Sequence, residues 1–372
     1  MKKINGFLSL VLGLLLLVSS VPAASAEEQD LSVTGTIIEI EKYGHVVLDI
    51  TAEDFETAGF RLGDIVKVTT GNYSGEMPFF NGYYVDKGEF LLLAYPGKEY
   101  ITVCINYGSF SEVTGAGVGD TVTVALQEAG GALTEQEINN LVYSTDRMDF
   151  TLDTVFANFR PVVMGSLAEG VLYRSASPVD DSYNRAAYAN ELAELVRINA
   201  VMNLASNDDD MLAYFEEEGF CSDYYRKLYE DGRVIALGLP VSFDTAEFAQ
   251  GIVRGLTFLS EQEPPYLVHC TEGKDRAGFA SMVLEALMGA SEEAIIADYM
   301  RSYENYYGIE PGTEKFDRII ENNILKMLPI IAGSDTLDGV DLAAATEAYL
   351  IANGMKPEAV TALKAKLSNS GS

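Results

Sequence analysis

The first part of the chain, up to about residue 126, consists of short β-branched apolar runs that Gly and Asp residues interrupt. Short runs of this kind, bounded by turn residues, are typical of β-strands. The predicted strands are residues 33–41, 46–50, 65–69, 90–94, 100–106 and 121–126. Their arrangement predicts a small all-β domain, either a barrel or a sandwich. His45 falls in the turn after the first strand, where we expect a surface residue.

Beyond residue 150 the pattern changes to strand-like runs that alternate with longer runs of helical period. The strand-like runs are residues 200–204, 234–237 and 266–269, and the helical runs are residues 188–197, 246–259, 276–288, 292–303, 314–328 and 342–353. Strands that alternate with helices of this length predict βα units. This part is therefore predicted to be an α/β domain with a mainly parallel sheet flanked by helices.

A linker separates the two patterns, and Gly130 and Gly131 mark its start. Thr134 and Glu137 have the spacing of a capping box, in which each side chain bonds the backbone amide of the other residue, so a short helix is expected. The predicted division is an all-β domain at residues 27–130, a linker with a short helix at 131–149, and the α/β domain at 150–372.

The first 26 residues have the features of a sorting signal. Lys2 and Lys3 precede an apolar run at residues 7–18, and small residues at 22–26 supply a cleavage site after Ala26. The apolar run is too short to span a bilayer. We therefore predict a cleaved signal peptide, a secreted protein and no stable membrane association after cleavage. An uncleaved anchor is the alternative.

Composition narrows the classes of partner. The 372 residues include 56 Asp and Glu against 25 Lys and Arg, which gives a formal charge of −31. This charge argues against sequence-independent binding of DNA, RNA or an anionic membrane, because such binding depends on clustered Lys and Arg. With two His and no Cys-x2-Cys pair, neither a zinc site nor another metal or cofactor is predicted.

Three cysteines cannot all pair with one another, so at least one thiol stays free. Cys104 lies within a predicted strand and is expected in a core. Cys221 is expected to be a free thiol. The alternative is a reversible disulfide between Cys221 and Cys270 that protects Cys270 from irreversible oxidation.

Residues 266–288 combine an apolar strand, a five-residue loop between Cys270 and Arg276, and a helical run. Loop amides and a helix N-terminus together form an anion site, and Gly273 permits the tight turn that such a loop requires. The same positive field favours the nucleophilic thiolate of Cys270. Arg276 can donate two parallel hydrogen bonds to two phosphoryl oxygens. The segment is therefore predicted to bind a phosphate ester.

A Cys-x5-Arg loop directly after His269 resembles the signature of the cysteine-dependent phosphatases. In the form His-Cys-x-x-Gly-Lys-Asp-Arg it resembles more narrowly the atypical secreted bacterial tyrosine phosphatases, which are reported to act on phosphotyrosine, phosphoserine or phosphothreonine, and phosphoinositides. Residues 158–160, 172–176, 201–204 and 342–367 are similar to further segments of that family. The resemblance covers residues 150–368 and implies a tyrosine-phosphatase-like α/β fold.

The resemblance also implies a role for each residue of the loop. Cys270 would attack phosphorus and form a cysteinyl phosphate, and Arg276 would hold the phosphoryl oxygens. Asp275 would be the general acid toward the leaving oxygen and then the base toward water, since this step needs a positioned carboxyl group. No metal or cofactor is implied. The further residues expected to bind substrate are His269, Thr271, Glu272, Gly273, Lys274, Ala277 and, outside the loop, Arg174.

Several positions have a second interpretation. The carboxylates of residues 208–210 are the alternative acid, although a solvated acidic loop is the preferred interpretation. Lys274 would bind a second phosphate or an acidic neighbour of the scissile group, or would be solvated or salt-bridged. His269 is expected to hydrogen-bond the loop rather than to act as an acid or a ligand. Arg174 would support the loop or face the substrate, or would form a structural ion pair, which is the preferred interpretation.

Three positions depart from the pattern of this family. Ala277 stands where Thr or Ser usually stabilises the thiolate, Pro161 where Asp is common, and Ala205 where Arg is usual. Activity is therefore expected to be weak or redirected. The leading hypothesis is a secreted phosphatase of phosphotyrosyl protein, and the alternatives are a phosphoinositide or inositol-phosphate phosphatase and a catalytically weak phosphate-binding module. Domain order alone suggests that the all-β domain recognises a substrate or a cell surface.

Overall fold

The computed structural model describes residues 31–368, so the predicted signal peptide and its cleavage site lie outside the described residues. Residues 32–128 form a β-barrel and residues 153–368 form an α/β region, and the two have separate apolar cores. None of the helices within the described range is long and apolar enough to cross a membrane. The domain boundaries predicted at residues 130 and 150 stay predictions.

Seven strands of residues 31–368 close into the barrel: β1 (Ser32–Ile40), β2 (Val46–Thr51), β3 (Ile65–Thr70), β4 (Tyr73–Phe80), β5 (Phe90–Leu93), β6 (Tyr100–Ile105) and β7 (Thr121–Glu128). Their order is β1-β2-β6-β5-β4-β3-β7, and β7 pairs with β1. Neighbours are antiparallel except β4 and β5. The all-β prediction is confirmed in its barrel form. Strand β4 is missing from the prediction because Gly75 and Pro78 are typical of turns and strand ends.

Side-chain alternation along the strands builds the barrel core. In β3, Val66 and Val68 are fully buried, whereas Lys67 and Thr69 are exposed. Two short helices, α1 (Ala52–Ala58) and α2 (Phe110–Thr114), each add one buried phenylalanine to this core. The period of two residues therefore identifies which side chains fill the barrel.

Two predictions about single barrel residues have opposite outcomes. Cys104 lies in β6 and is fully buried, which confirms its place in a core, and burial raises the pKa of its thiol to about 12. The expectation that His45 is a surface residue is wrong, because it is only 7% exposed. Its Nδ1 atom lies 3.2 Å from the Tyr83 hydroxyl and 3.7 Å from the Glu41 carboxylate. These polar partners make burial of the ring tolerable.

The predicted short helix of the linker is present as α3 (Leu133–Asn139), but its predicted capping box is wrong. The helix begins one residue before Thr134, and Ala132 precedes it without a side-chain cap. Buried Gln136 donates from Nε2 to the Asn81 side-chain oxygen of the barrel at 2.8 Å. This tertiary contact attaches the helix to the barrel but caps none of its backbone amides.

Five strands in the described part of the chain form the sheet of the α/β region: β8 (Arg160–Pro161), β9 (Leu172–Ser175), β10 (Ala200–Asn203), β11 (Val234–Ala236) and β12 (Tyr266–His269). Their order is β11-β10-β12-β9-β8. Strands β9 to β12 run parallel, and β8 is antiparallel to β9. The strand that precedes Cys270 is therefore the middle strand of the sheet.

Eleven helices between residues 31 and 368 belong to this region: α4 (Asp153–Phe156), α5 (Ala186–Leu195), α6 (Asp208–Phe215), α7 (Asp223–Glu230), α8 (Ala246–Glu261), α9 (Asp275–Leu287), α10 (Glu292–Tyr307), α11 (Glu314–Asn322), α12 (Ile324–Ala332), α13 (Leu342–Ala352) and α14 (Pro357–Ser368). The helix predicted at residues 314–328 is divided into α11 and α12, because Asn323 has non-helical dihedral angles (φ −120°, ψ −82°). The sequence also predicts a solvated acidic loop at residues 208–210. Asp208 and Asp209 are exposed as expected, but the loop is wrong. These aspartates form the first turn of α6, where acidic side chains are favoured, and Asn207 and Asp210 make a capping box there.

Alternate residues of the parallel strands pack into two cores. Met202 and Val268 pack with helices α8 to α14, whereas Val201 and Leu267 pack with helices α5 to α7. Helix α9 belongs to the first core and is buried from its third residue to its last. The segment between β12 and α9 is therefore anchored at both ends in the middle of the α/β region.

Candidate active site

The cysteine loop, residues 270–276, joins the middle strand β12 to the buried helix α9. Cys270 is its first residue and is 3% exposed. Gly273 has a left-handed conformation (φ +68°), and a Cβ atom there would lie 2.2 Å from the carbonyl carbon of Ser175. Glycine is therefore required at this turn, as the sequence pattern predicts.

The carbonyl groups of the cysteine loop are held by the surrounding scaffold. Those of residues 271–274 accept hydrogen bonds of 2.6 to 3.1 Å from the Ser177 amide, the Tyr306 hydroxyl, the Asn158 side chain and the Arg174 guanidinium. In a planar trans peptide the amide points away from the carbonyl. Within residues 31–368, the amides of residues 271–276 donate to no protein acceptor. Together with the N-terminus of α9, these free amides have the geometry of an anion site.

Arg276 is the second residue of α9, and no carboxylate of the described residues lies within 4.0 Å of its guanidinium. The guanidinium donates instead to the Leu239 carbonyl at 3.0 Å and to the Thr271 hydroxyl at 3.1 Å. These bonds place an uncompensated positive charge beside Thr271, the residue that follows Cys270. A guanidinium in this position suits a dianionic phosphoryl group, whose oxygens it can bind in pairs.

Asp275 begins α9, and Tyr299 orients its carboxylate. The Tyr299 hydroxyl donates to Oδ1 at 3.1 Å, and burial raises the pKa of Tyr299, so this hydroxyl stays protonated. The side chain of Asp275 is 31% exposed, and its Oδ2 atom lies 3.8 Å from Nζ of Lys274. A half-buried carboxylate that a hydrogen bond orients, one residue from Arg276, is a candidate for proton transfer at the loop.

Lys274 extends from the cysteine loop toward two carboxylates and two tyrosines. Its Nζ atom lies 3.7 Å from Glu272, 3.8 Å from Asp275 and 3.1 Å from the Tyr307 hydroxyl, and 5.3 Å from the ring centres of Tyr303 and Tyr307. Burial alone lowers the pKa of Lys274, but these neighbours outweigh it, so the pKa lies above its ordinary value. The structure therefore has a charged, salt-bridged lysine, which is one of the two predicted alternatives.

Tyr143 of the linker and Arg185, which directly precedes α5, attach the linker to the loop, and neither is among the residues predicted from the sequence. The Tyr143 hydroxyl donates to the Glu272 carboxylate, and its ring stacks on Tyr306 with centres 4.9 Å apart. Buried Arg185 lies 4.8 Å from both ring centres and donates to the Ser144 carbonyl at 3.0 Å. The linker is thus in direct contact with the site, and the Glu272 side chain is directed toward it.

Arg174 supports the loop from its buried side. It is fully buried, donates 2.9 Å bonds to the Gly273 and Lys274 carbonyls, and pairs with Asp298 at 2.5 Å. Asp298 also accepts a 2.9 Å bond from Arg160. Burial alone raises the pKa of Asp298, but the two guanidinium groups outweigh it and hold the pKa well below its ordinary value. Arg174 therefore forms the predicted structural ion pair and also supports the loop. The partners of its guanidinium in these contacts are protein groups.

His269 is fully buried behind Cys270, and burial lowers its pKa to about 3. The ring is therefore neutral at physiological pH. Its Nδ1 atom lies 3.4 Å from the Cys270 carbonyl, which can only accept, so Nδ1 carries the proton and Nε2 accepts from the Tyr225 hydroxyl at 2.9 Å. These contacts match the expectation that His269 hydrogen-bonds the loop.

Ala277 and Cys221 complete the set of predicted positions. Ala277 follows Arg276 on α9 and is fully buried, so only a methyl group lies where the resembling family usually has a hydroxyl. Cys221 is exposed, and the thiols of Cys104, Cys221 and Cys270 are all free. The alternative disulfide between Cys221 and Cys270 is therefore not formed in this structure.

The residues that sequence reasoning missed lie mainly on α10. Asp298, Tyr299 and Tyr306 contact Arg174, Asp275 and the Glu272 carbonyl, respectively. Tyrosines at residues 299, 303, 306 and 307 have the spacing of one helix face. That spacing is the sequence signal which marks α10 as a wall of the site.

The C-terminal part of the chain matches a known family. Residues 210–369, which include the whole cysteine loop, match the model of the tyrosine phosphatase family, so the predicted resemblance is confirmed for this part. A candidate tyrosine-protein phosphatase of Cupriavidus necator is 50% identical over 36 residues, and the triple specificity protein phosphatase PtpB of Mycobacterium tuberculosis is 41% identical over 64 residues. These matches cover 10% and 17% of this chain, and 13% and 23% of the length of those curated relatives.

Two solved structures are also similar to the chain. The core catalytic domain of a PP-IP phosphatase of S. cerevisiae is 20% identical and aligns over 44% of this chain and 83% of its own, with a TM-score of 0.27. The TpbA protein of P. aeruginosa in complex with phosphotyrosine is 17% identical and aligns over 54% and 88%, with a TM-score of 0.24. Likeness at this level carries no further conclusion.

Proposed function

We propose that the protein is a cysteine-dependent phosphatase that hydrolyses phosphate monoesters, and that phosphotyrosyl protein is its substrate. The observation that carries the proposal is the cysteine loop itself. Its carbonyls are bound by the scaffold, its amides are free, and the uncompensated charge of Arg276 lies beside Cys270. The match of residues 210–369 to the tyrosine phosphatase family supports the same chemistry.

The first step transfers the phosphoryl group to the cysteine. The Cys270 thiolate attacks phosphorus, the S–P bond forms, and the bond from phosphorus to the tyrosyl oxygen breaks. Asp275 gives its proton to the leaving oxygen, so the product leaves as a neutral phenol. The free amides and Arg276 hold the equatorial oxygens, where negative charge is concentrated in the transition state.

The second step releases inorganic phosphate. Asp275, now ionised, takes a proton from a water molecule that attacks the cysteinyl phosphate, and the S–P bond breaks to regenerate the thiolate. The Tyr299 hydroxyl keeps the carboxylate in one orientation for both transfers. The residues of the site are sufficient for this sequence of bond changes.

A phosphoinositide or an inositol phosphate is the second candidate substrate, and Lys274 is the observation that favours it. A lysine beside the loop can bind a second phosphate. However, Lys274 already lies within 4.0 Å of two carboxylates, those of Glu272 and Asp275. This local compensation reduces its attraction for a further anion, so we place phosphotyrosyl protein first. We further propose secretion, which rests on the signal sequence of residues 1–26.

The decisive experiment is hydrolysis of a small aryl phosphate by residues 27–372 under reducing conditions with a chelator. We expect turnover in the wild type, none in Cys270→Ser, and a loss of about 10²-fold to 10⁴-fold in kcat in Asp275→Asn, the usual contribution of a general acid. Cys221→Ser is the matched control for the thiol, because that residue is exposed. Asp209→Asn is the control for the carboxylate and also tests the alternative acid. Turnover that survives in Cys270→Ser would contradict the proposal.

The alternative of a weak phosphate-binding module is tested at Ala277. Ala277→Thr adds a hydroxyl next to the loop, and Ala277→Val has nearly the same shape without the hydroxyl. If the missing hydroxyl limits turnover, the threonine variant hydrolyses the cysteinyl phosphate several-fold faster and the valine variant does not. Vanadate binding without turnover in the wild type and in Ala277→Thr would favour the binding module instead.

A further inference from the structure

An open cleft of about 830 Å³ lies between the barrel and the α/β region, and it reaches the cysteine loop. Lys274, Tyr303 and Tyr307 form its end at the loop. Strand β4 and the segment from β4 to β5 form the wall on the barrel, helices α11 and α12 form the wall on the α/β region, and α3 adds to the lining. Pockets of roughly 300 to 1,000 Å³ hold drug-sized ligands, a size that a few side chains of a peptide also have. A substrate bound at the loop therefore has room to extend into this cleft.

Cations of the cleft walls are already compensated. Lys274 lies near Glu272 and Asp275. Arg318 pairs with Glu321 at 3.0 Å, and Lys326 lies 3.6 Å from Asp86. None of the three therefore offers a free positive charge to a further anion.

Four carboxylates of the lining lack a cationic partner among residues 31–368. One of them, Glu135 of α3, accepts hydrogen bonds from Asn322, and the other three are exposed. Glu76 and Glu89 on the barrel and Glu314 at the start of α11 are exposed to the cleft. Within the part of the chain that the structure describes, none has a Lys or Arg nitrogen within 4.0 Å. The cleft thus has negative charge on both walls, which attracts cationic groups and repels a polyanion.

Aromatic side chains supply the apolar part of the lining. Tyr83, Tyr84 and Phe90 line the barrel wall, and Tyr307 lines the end at the loop. Aromatic rings of this kind pack against aliphatic and cationic side chains. Lysine and arginine combine an aliphatic stem with a positive end, so they match both parts of the lining.

We propose that this cleft binds the polypeptide that flanks the phosphorylated residue and that it selects substrates with Lys or Arg next to that residue. The inference rests on the proposed function, because it assumes that the phosphoryl group occupies the cysteine loop. It gives the barrel a role as one wall of the substrate site. It also separates peptide substrates from inositol polyphosphates, which the uncompensated carboxylates disfavour.

The test compares two phosphotyrosyl peptides that differ only in having Lys or Glu on both sides of the phosphotyrosine. We expect the wild type to have about a tenfold higher kcat/KM for the lysine peptide at low salt, mainly through KM, which corresponds to about 1.4 kcal/mol. The preference for the lysine peptide should shrink at 1 M salt, where charges more than about 3 Å apart are largely screened from each other. The double variant Glu76→Gln/Glu89→Gln should reduce the preference to about threefold or less.

A matched double variant controls for overall charge. Glu53→Gln/Glu99→Gln removes two exposed carboxylates of the barrel that lie outside the cleft. It should keep the wild-type preference between the two peptides. An equal loss in both double variants, or an unchanged preference in Glu76→Gln/Glu89→Gln, would overturn the inference. So would tight competition by inositol hexakisphosphate that exceeds binding of the lysine peptide.

A second measurement distinguishes failure of the proposed function from failure of the cleft proposal. Binding of the same two peptides to Cys270→Ser is measured by calorimetry, which requires no turnover. Absence of aryl phosphate hydrolysis in the wild type counts against the phosphatase, whereas the ratio of the two peptide affinities still decides the cleft. A ratio near one in Cys270→Ser would reject the cleft even if the enzyme is active.

Discussion

The cysteine loop has a basic residue on each of its two sides, and the two residues are held differently. On the buried side, Arg174 pairs with buried Asp298 and donates to two loop carbonyls. On the open side, Lys274 faces the cleft and lies between Glu272 and Asp275. Breaking a buried ion pair is strongly destabilising, because the remaining charge stays buried without its partner and without water to solvate it. The buried side thus determines the loop's shape, whereas the open side can vary with the substrate.

Arg174→Met should have the largest effect. It leaves Asp298 with one guanidinium partner and removes one donor from each of the two loop carbonyls, which should cost about 3 to 5 kcal/mol of the free energy of unfolding. Aryl phosphate turnover should fall with it, because the loop amides lose their orientation. Urea denaturation and kcat measure the two effects. Arg254→Met, at an exposed position of α8, is the control. A change in the free energy of unfolding below about 1 kcal/mol would contradict the proposal that the buried side of the loop is held more strongly than the open side.

Glu285→Gln tests a further buried carboxyl group, which lies on α9 and interacts with Asp298. Burial and then Asp298 raise the pKa of Glu285 well above its ordinary value, so the folded protein keeps a proton there that the unfolded chain releases above about pH 4.3. Stability from this group is therefore present at low pH and is lost as pH rises toward the folded pKa. Glutamine cannot ionise, so the variant should avoid this loss.

Urea midpoints at two pH values measure this effect. Glu285→Gln should be more stable than the wild type at pH 7 and nearly equal to it at pH 4. Glu261→Gln, an exposed residue of α8, should show no such difference between the two pH values. The same offset at both pH values would mean that folding does not raise the pKa of Glu285.

Lys274→Met should have a smaller effect on stability than Arg174→Met. The lysine side chain is 13% exposed, and its partners are more exposed still. We expect a cost of about 1 to 2 kcal/mol, between the values for exposed and buried pairs. KM for phosphopeptides should change more than kcat. A loss confined to inositol phosphate substrates would instead support the second candidate function.

Tyr143→Phe should have the smallest effect. It removes one hydrogen bond to Glu272, typically worth about 0.5 to 1.5 kcal/mol, and keeps the stacking on Tyr306. The free energy of unfolding and KM measure the loss. Tyr107→Phe removes a hydroxyl from a residue that is 85% exposed and serves as the control. Equal results for both variants would show that the linker contact does not stabilise the loop.

Local patterns were enough to predict the strand, loop and helix around Cys270. An apolar run, a glycine at the turn and an arginine at the helix start are adjacent in sequence, so their geometry depends on near neighbours. The start of α3 and the burial of His45 were predicted wrongly, because both places make contacts with distant parts of the chain. The Ala132 amide before α3 donates to the Gly63 carbonyl at 2.7 Å, and His45 contacts Tyr83.

By itself, the sequence determined most of the strands and helices, the all-β class of the first region and the chemistry of the cysteine loop, because these follow from periodicity and from residues close along the chain. Only the tertiary structure decided what holds the loop and what surrounds it. Arg174 and Asp298 are 124 positions apart, and Tyr143 and Glu272 are 129 apart. No local pattern pairs such residues. Packing of α10, the linker and the barrel around the sheet brings them together and forms the cleft.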